Sequence, residues 1–417
     1  LTLNAENLTL SGTAASTVSS LNAKNVTFVP GKTAPYTLQD KLTLSAVSGT
    51  GDQATAQTGT FSGDVVVSGG ASKPLTIDGG IYEVNSLIKL SSGAMTVGSA
   101  SSPVNTKVTL SNLAIDNTTG GNSITVAGAT GKEAVLNIVA ADLDGKLTGN
   151  ASNKTEITVN EFGTLELTGD QLAQLINKDN AWGGTSQSGA GILINKGTVD
   201  TLDTSIETEL SVDDLASGAS VAANKITFNN SNGGTLNTQS LSLKDNGSAA
   251  GLDIGSKGTI DVGNTLTLTA KDPSGDFVVK TGNLVLGNEV KSGNNAKLVI
   301  GKSGTSAAKL DLGSVWIENE SVQHSADAGQ VRVDLALAGQ SATTNQKSEL
   351  NVKYGHWSAQ EITSEFADIN IGYDVSNEAT AIQKLNHNWG LTADKLVVGT
   401  TNAANVNVEQ LLWSIFL

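Results

Sequence analysis

Cysteine is absent from the 417 residues, and arginine occurs once, as Arg332. Without cysteine there are no disulfides and no thiol chemistry, which by itself is compatible with a reducing or an oxidising compartment. With so little arginine and a formal net charge of −15, the clustered cations that nucleic-acid phosphates require are missing, so nucleic acid is not an expected partner. Aromatic residues make up only 4%. Burial must therefore rest on Leu, Val, Ile and Ala, which suits thin repeated core layers better than one thick globular core. No apolar run reaches the roughly 18 residues of a membrane-spanning helix. No Pro-rich or charge-rich linker interrupts the chain, which favours one elongated domain over 1–417. The chain starts at Leu1 with no basic and apolar leader, so a signal peptide is expected to be absent or already removed.

What is present is alternation. In the stretch 251–317 one phrase recurs, apolar-any-apolar-Gly: Leu252-Asp253-Ile254-Gly255, Ile260-Asp261-Val262-Gly263, Leu284-Val285-Leu286-Gly287, Leu298-Val299-Ile300-Gly301 and Leu310-Asp311-Leu312-Gly313. It returns as Leu396-Val397-Val398-Gly399. Period two is that of a strand with one buried face, and the glycine suggests a turn after it. The same kind of short strand is expected at Leu42-Thr43-Leu44, Val65-Val66-Val67, Leu75-Thr76-Ile77, Met95-Thr96-Val97, Ile124-Thr125-Val126 and Ile157-Thr158-Val159. Such spacing suits a sandwich, a barrel or a solenoid. A sandwich of this length would need domain boundaries, whereas a solenoid adds coils indefinitely. The expected fold is all-β, a right-handed parallel β-helix with short helical or loop excursions. At about 20 to 25 residues per coil it would have about 17 to 20 coils, and stacking at about 4.8 Å would make a rod of about 80 to 100 Å.

Excursions are expected near 30–36, 169–190 and 355–390. Residues 169–178 read as a helix with Leu172, Leu175 and Ile176 on one face and Asp170 as N-cap, covering the core. Ser358 to Phe366 reads as a second helix, from the capping box Ser358-Ala359-Gln360-Glu361. Residues 376–386 read as a third, with Ser376 as cap.

Chemistry is harder to find. His324, His356 and His387 lie far apart in sequence and lack metal-ligand spacing, so no metal and no cofactor is expected. The calcium-binding nonapeptide of secreted β-rolls does not occur. Asp142-Leu143-Asp144-Gly145 lacks the remaining ligands of a calcium loop. Asp213-Asp214 could serve as a glycosidase pair, yet it falls at what reads as a short helix start, where acids favour the dipole. Nucleophile elbows and phosphate loops are missing, and no enzymatic activity is expected. The candidate contact residues are aromatics and their histidine neighbours: Trp182, His356, Trp357, His387 and Trp389. The competing role for these tryptophans is to anchor loops against the core.

Phrases such as GTLELTGDQLAQLI, GAGILINKGTVDTL, GTIDVGNTLTLTA and GNLVLGNEVKSG resemble the passenger domains of Gram-negative autotransporters and related large haemagglutinin-like adhesins. The likeness is one of texture, spread over nearly the whole chain. It implies a right-handed parallel β-helix exported across the outer membrane, held there through a part not present in this sequence. It also implies adhesion to a host or neighbouring cell surface, protein or glycan, with self-association as one mechanism. No two-partner-secretion element, membrane barrel or protease triad accompanies it, so the chain would be a section of a longer protein. A surface-layer or fibre subunit and a tailspike-like glycan-processing β-helix are the rival expectations.

Overall fold

The computed structural model describes residues 2–11, 20–31, 34–139, 143, 146–149, 153–176, 190–201, 210–211, 215–217, 225–229, 231–244, 252–253, 258–269, 278–281, 283–286, 296–300, 309–316, 333–338, 348–365, 367–371, 390–398 and 405–408. It is an all-β parallel solenoid. The chain divides into two compact units, residues 1–201 with 218–235 and residues 202–217 with 236–417.

In the first unit each coil visits three faces in turn. One circuit runs through Leu75–Ile77 on the first face, Gly80–Val84 on the second and Ile88–Ser91 on the third, then returns to the first at Ala94–Val97. Every strand of that circuit bonds in parallel to its counterpart one coil on. On the first face Leu42, Leu75, Met95, Ile124, Ile157, Ile192 and Ile226 stand in one register column, although their spacing along the chain is uneven. All are buried, with Leu42, Leu75 and Ile192 completely so. Alternation explains the column: Leu-Thr-Leu, Leu-Thr-Ile and Met-Thr-Val each bury their outer two side chains and turn the threonine outward. Most coils are longer than the roughly 20 to 25 residues expected, because corners between strands absorb extra residues while the strands keep register.

The corners carry the polar accounting. Between the third and first faces, Asn122 Oδ1 accepts the Gly93 N–H at 2.8 Å, and its Nδ2 donates to the Asp116 carbonyl at 3.0 Å and to Asn117 Oδ1 at 2.7 Å. Thr155 donates its hydroxyl to Asn117 Oδ1 at 3.0 Å. Asn117, Asn122 and Thr155 are all buried, so side-chain amides supply the hydrogen bonds that a bending backbone cannot. Near the start of the unit Phe28 packs against Tyr36 and Phe61, with ring centroids 5.4 and 5.2 Å away. Tyr36 therefore belongs to the core instead of to a loop standing off it: the break before it is short, and the strand Tyr36–Leu38 joins the third face. Tyr82 is fully buried, donates its hydroxyl to the Lys24 carbonyl at 2.9 Å, and lies where a Cβ on Gly59 would sit 2.2 Å from its ring. Gly59 is the register partner of Tyr82, and only a glycine leaves space there for the ring.

The helix Gly169–Ile176 is present and covers the core. It follows the second-face strand Gly163–Glu166 and precedes the first-face strand Ala190–Ile194, the place in the circuit where a third-face strand stands in earlier coils. Leu172, Leu175 and Ile176 are buried, and Gln174 Oε1 accepts the backbone N–H of Leu143 from the coil before. The cap is Thr168, not Asp170. Its hydroxyl accepts the Gln171 N–H at 3.1 Å while Gln171 Oε1 accepts the Thr168 N–H at 2.9 Å, a reciprocal capping box. Asp170 sits in the first turn, where its charge favours the helix dipole.

In the second unit the phrase at Ile260 pairs with the phrase at Leu284, and the phrases at Leu298, Leu310 and Leu396 stack on other alternating strands. Leu266, Leu298, Leu335, Ile362 and Leu396 form one register column. Val279, Leu310, Leu350, Ile369 and Val406 form another. Two expectations change. Gly263 and Gly313 do not end their strands, which run on as Gly258–Thr269 and Lys309–Trp316. Gly263 instead separates a half that pairs with Asn283–Leu286 from a half that pairs with Ala296–Ile300, so the glycine marks a change of partner within a continuous strand. Gly255, Gly287, Gly301 and Gly399 lie outside the described residues. The second change is at 358–366, where the expected helix is strand: residues 358–365 belong to Ser348–Glu365. The capping-box pattern is overridden because Ile362 is wholly buried and has ladder partners on both sides, with Leu335 and Leu396 in register. Much of the excursion expected near 355–390 is consequently strand, Ala367–Ile371 included. The expected helix over 376–386 lies outside the described residues, as does Asp213-Asp214. Leu215–Ser217, just beyond that pair, is strand. No helix among the described residues is long and apolar enough to cross a membrane.

Candidate functional site

The first coils contain a close sequence repeat. Leu3-Asn4-Ala5-Glu6-Asn7-Leu8-Thr9 is followed by Leu21-Asn22-Ala23-Lys24-Asn25-Val26-Thr27, and the two lie in parallel register, Asn4 on Asn22 and Asn7 on Asn25. Identical amides at one strand spacing form ladders. Asn22 Nδ2 donates to Asn4 Oδ1 at 2.7 Å and Asn25 Nδ2 to Asn7 Oδ1 at 2.8 Å. Asn25 Oδ1 in turn accepts the Thr60 N–H at 2.9 Å. The inner ladder continues as threonines: Asn4, Asn22, Thr43, Thr76, Thr96, Thr125 and Thr158 are successive register partners. Asn4 is exposed and the others half-buried, so the first face presents an unbroken outward column of amides and hydroxyls.

At the amide end of this column lies a groove of about 610 Å³. One wall is Val47–Ser48, which pairs antiparallel with Thr55–Ala56, the exception to parallel pairing among the described strands. Gln57 fixes that wall to the coil: its N–H donates to the Ala46 carbonyl at 2.8 Å, its carbonyl accepts from Ile81, and its amide donates to Thr55 Oγ1 and the Ala56 carbonyl, both at 3.2 Å. The other wall carries Asn4 and Asn22; Ser45 and Ser48 add hydroxyls, and Ala5 and Val47 supply small apolar surface. Glu6 and Lys24 line it as well, one charge of each sign. The Lys24 backbone is pinned from beneath by the Tyr82 hydroxyl. Such a surface offers hydrogen-bond donors and acceptors side by side.

Elsewhere in this unit the charged chemistry is structural. On the third face Lys89 Nζ lies 2.8 Å from Asp116 Oδ2. Burial alone would raise the Asp116 carboxyl, but hydrogen bonds from Lys89 and from the hydroxyl and amide of Thr118 outweigh it and hold it down at about 2. Burial pushes the Tyr82 hydroxyl well above the phenol range, and burial together with the Asp40 charge raises Tyr36. Among the described residues no three His, Asp or Glu side chains converge to hold a metal.

Of the contact residues expected from sequence, Trp182, His387 and Trp389 lie outside the described residues. His356 and Trp357 belong to the strand Ser348–Glu365, with His356 opposite Trp316 and Gly390 and Trp357 opposite Leu391. The groove was not anticipated. Its signal was the repeated Leu-Asn-Ala-x-Asn, which announces stacked amides once the strands are known to be parallel and one repeat apart.

No family model, no curated protein and no solved structure matches the chain.

Proposed function

We propose that the chain is part of the rod of a bacterial cell-surface adhesin, anchored to the outer membrane by a segment outside this sequence, which holds a host or neighbouring cell by surface contact. What carries this reading is the outward column from Asn4 to Thr158. A parallel solenoid turns one side chain per coil into a periodic row, and here the row is polar and hydrogen-bonding along its length. A row of this kind makes many weak, equivalent contacts, which sum by multivalency with no single essential residue. It also suits self-association between neighbouring molecules.

The test is attachment. Beads coated with the chain are expected to hold epithelial or bacterial cells above albumin-coated beads, and replacing Thr76, Thr96 and Thr125 together by Lys is expected to cut attachment severalfold while the β circular-dichroism spectrum stays the same. Equal attachment by coated and control beads would refute the reading. Growth of the purified chain into ordered arrays without cell attachment would favour the rival, a structural subunit of a surface layer or fibre.

A further inference from the structure

The groove beside the hairpin has a lining that selects among ligands. Carboxamides of Asn4 and Asn22 share the lining with the part-exposed Ala5 and Val47. A carboxamide presents a donor and an acceptor on adjacent atoms, the complement of an acetamido group, which presents an N–H and a C=O in the same way. Ala5 and Val47, both part-exposed, give the lining a small apolar surface suited to an acetyl methyl. Glu6 and Lys24 contribute opposite charges, so the lining favours no net ligand charge. The chain's −15 opposes polyanions. A volume of about 610 Å³ lies within the range of sites that hold small organic ligands.

We infer that this groove binds a short, uncharged oligosaccharide bearing N-acetyl groups. The inference rests on the adhesin reading and adds to the contacts of the column one glycan subsite at its amide end. Asn4 and Asn22 hold the acetamido group, the serine hydroxyls meet ring hydroxyls, and Ala5 and Val47 take the methyl. Because Asn22 donates to Asn4 along the ladder, the amide orientations are set before a ligand arrives.

The experiment uses the whole chain and three hexasaccharides in calorimetric titration and saturation-transfer NMR: hexa-N-acetylchitohexaose, cellohexaose and hexagalacturonate. The acetylated sugar is expected to bind at least tenfold more tightly than either of the others, with saturation transfer strongest at the acetyl methyl. Ser45→Trp fills the groove from an exposed position and is expected to abolish that binding with an unchanged melting temperature. Asn4→Leu, also at an exposed position, is expected to weaken it at least tenfold. Absence of chitohexaose binding, equal binding of cellohexaose, or undiminished binding by Ser45→Trp would each overturn the inference. The bead assay separates the two claims: coated beads that hold cells while chitohexaose fails to bind sink the glycan assignment and leave adhesion standing. Chitohexaose binding without any cell attachment sinks adhesion instead.

Discussion

Asp116 is held by three donors, the Lys89 ammonium and the hydroxyl and amide of Thr118, and its carboxyl titrates at about 2 in place of the ordinary 3.8. A carboxylate that is more acidic in the folded chain than in the unfolded one stabilises the fold above the unfolded value, and that contribution disappears as the pH falls toward the folded value. Between pH 4 and 2 the wild type should lose stability that Asp116→Asn has already lost at neutral pH. The expected outcome is a lower urea midpoint for Asp116→Asn at pH 7 and a flatter acid limb, with a carboxyl NMR titration placing the wild-type midpoint near 2. A wild-type midpoint at 3.8 would mean that Thr118 and Lys89 do not hold the carboxylate. The Asn117 and Asn122 corner beside it works without charge. There the same need for internal hydrogen bonds is met by amides, whose contribution is indifferent to pH.

Secondary-structure elements show which sequence signals were decisive. The strands were legible wherever two apolar side chains flanked one outward threonine, as in Leu75-Thr76-Ile77, because a half-buried strand allows little else. The helix at Gly169–Ile176 was legible from Leu172, Leu175 and Ile176; its cap is Thr168, which with Gln171 three positions on has the spacing of a capping box, and not Asp170. At Ser358 the same kind of pattern misled, since a cap is worth about 1 kcal/mol and burying Ile362 between two partners about 1.5–3 kcal/mol. Local chemistry prevails at Thr168 because the helix also buries its own apolar face. Thr168→Ala is expected to lower stability by about 1 kcal/mol, and Leu172→Ala, which opens a cavity under the helix, by about 3 kcal/mol, both read from urea denaturation. If Leu172→Ala cost no more than Thr168→Ala, the helix would not be a structural lid on the coil. The candidate site was less legible than the strands. Its amides belong to strands whose polar residues looked like ordinary outward positions, and the hairpin wall depends on a local reversal at Gly51–Gln53 that no periodicity announces.

At the scale of the whole unit, the sequence carried the architecture but not the coil length. Leu42, Leu75, Met95 and Ile124 are equivalent positions separated by unequal lengths of chain, so no fixed period exists to be found in the sequence. Energetically the coils are still equivalent, because each apolar layer touches only the layers on either side. Coupling should therefore be short-ranged. In double-mutant cycles Leu75→Ala and Met95→Ala, in adjacent layers, are expected to deviate from additivity by about 0.5 kcal/mol or more. Leu75→Ala and Ile157→Ala, three layers and about 14 Å apart, should add within about 0.5 kcal/mol. Equal coupling for both pairs would point to a core that acts as one cooperative block.

The uneven corners have a further effect. Between the first and second faces the chain needs only 78–79 to turn in one coil but takes 98–105 in the next, yet Ile77 and Val97 remain register partners. Inherited insertions and deletions can accumulate in such places while the layered interior goes unrevised. Natural selection can thus rework the outline of the molecule and conserve its interior through separate sets of codons, and descendants of this chain can diverge in what they display long before they diverge in how they stand.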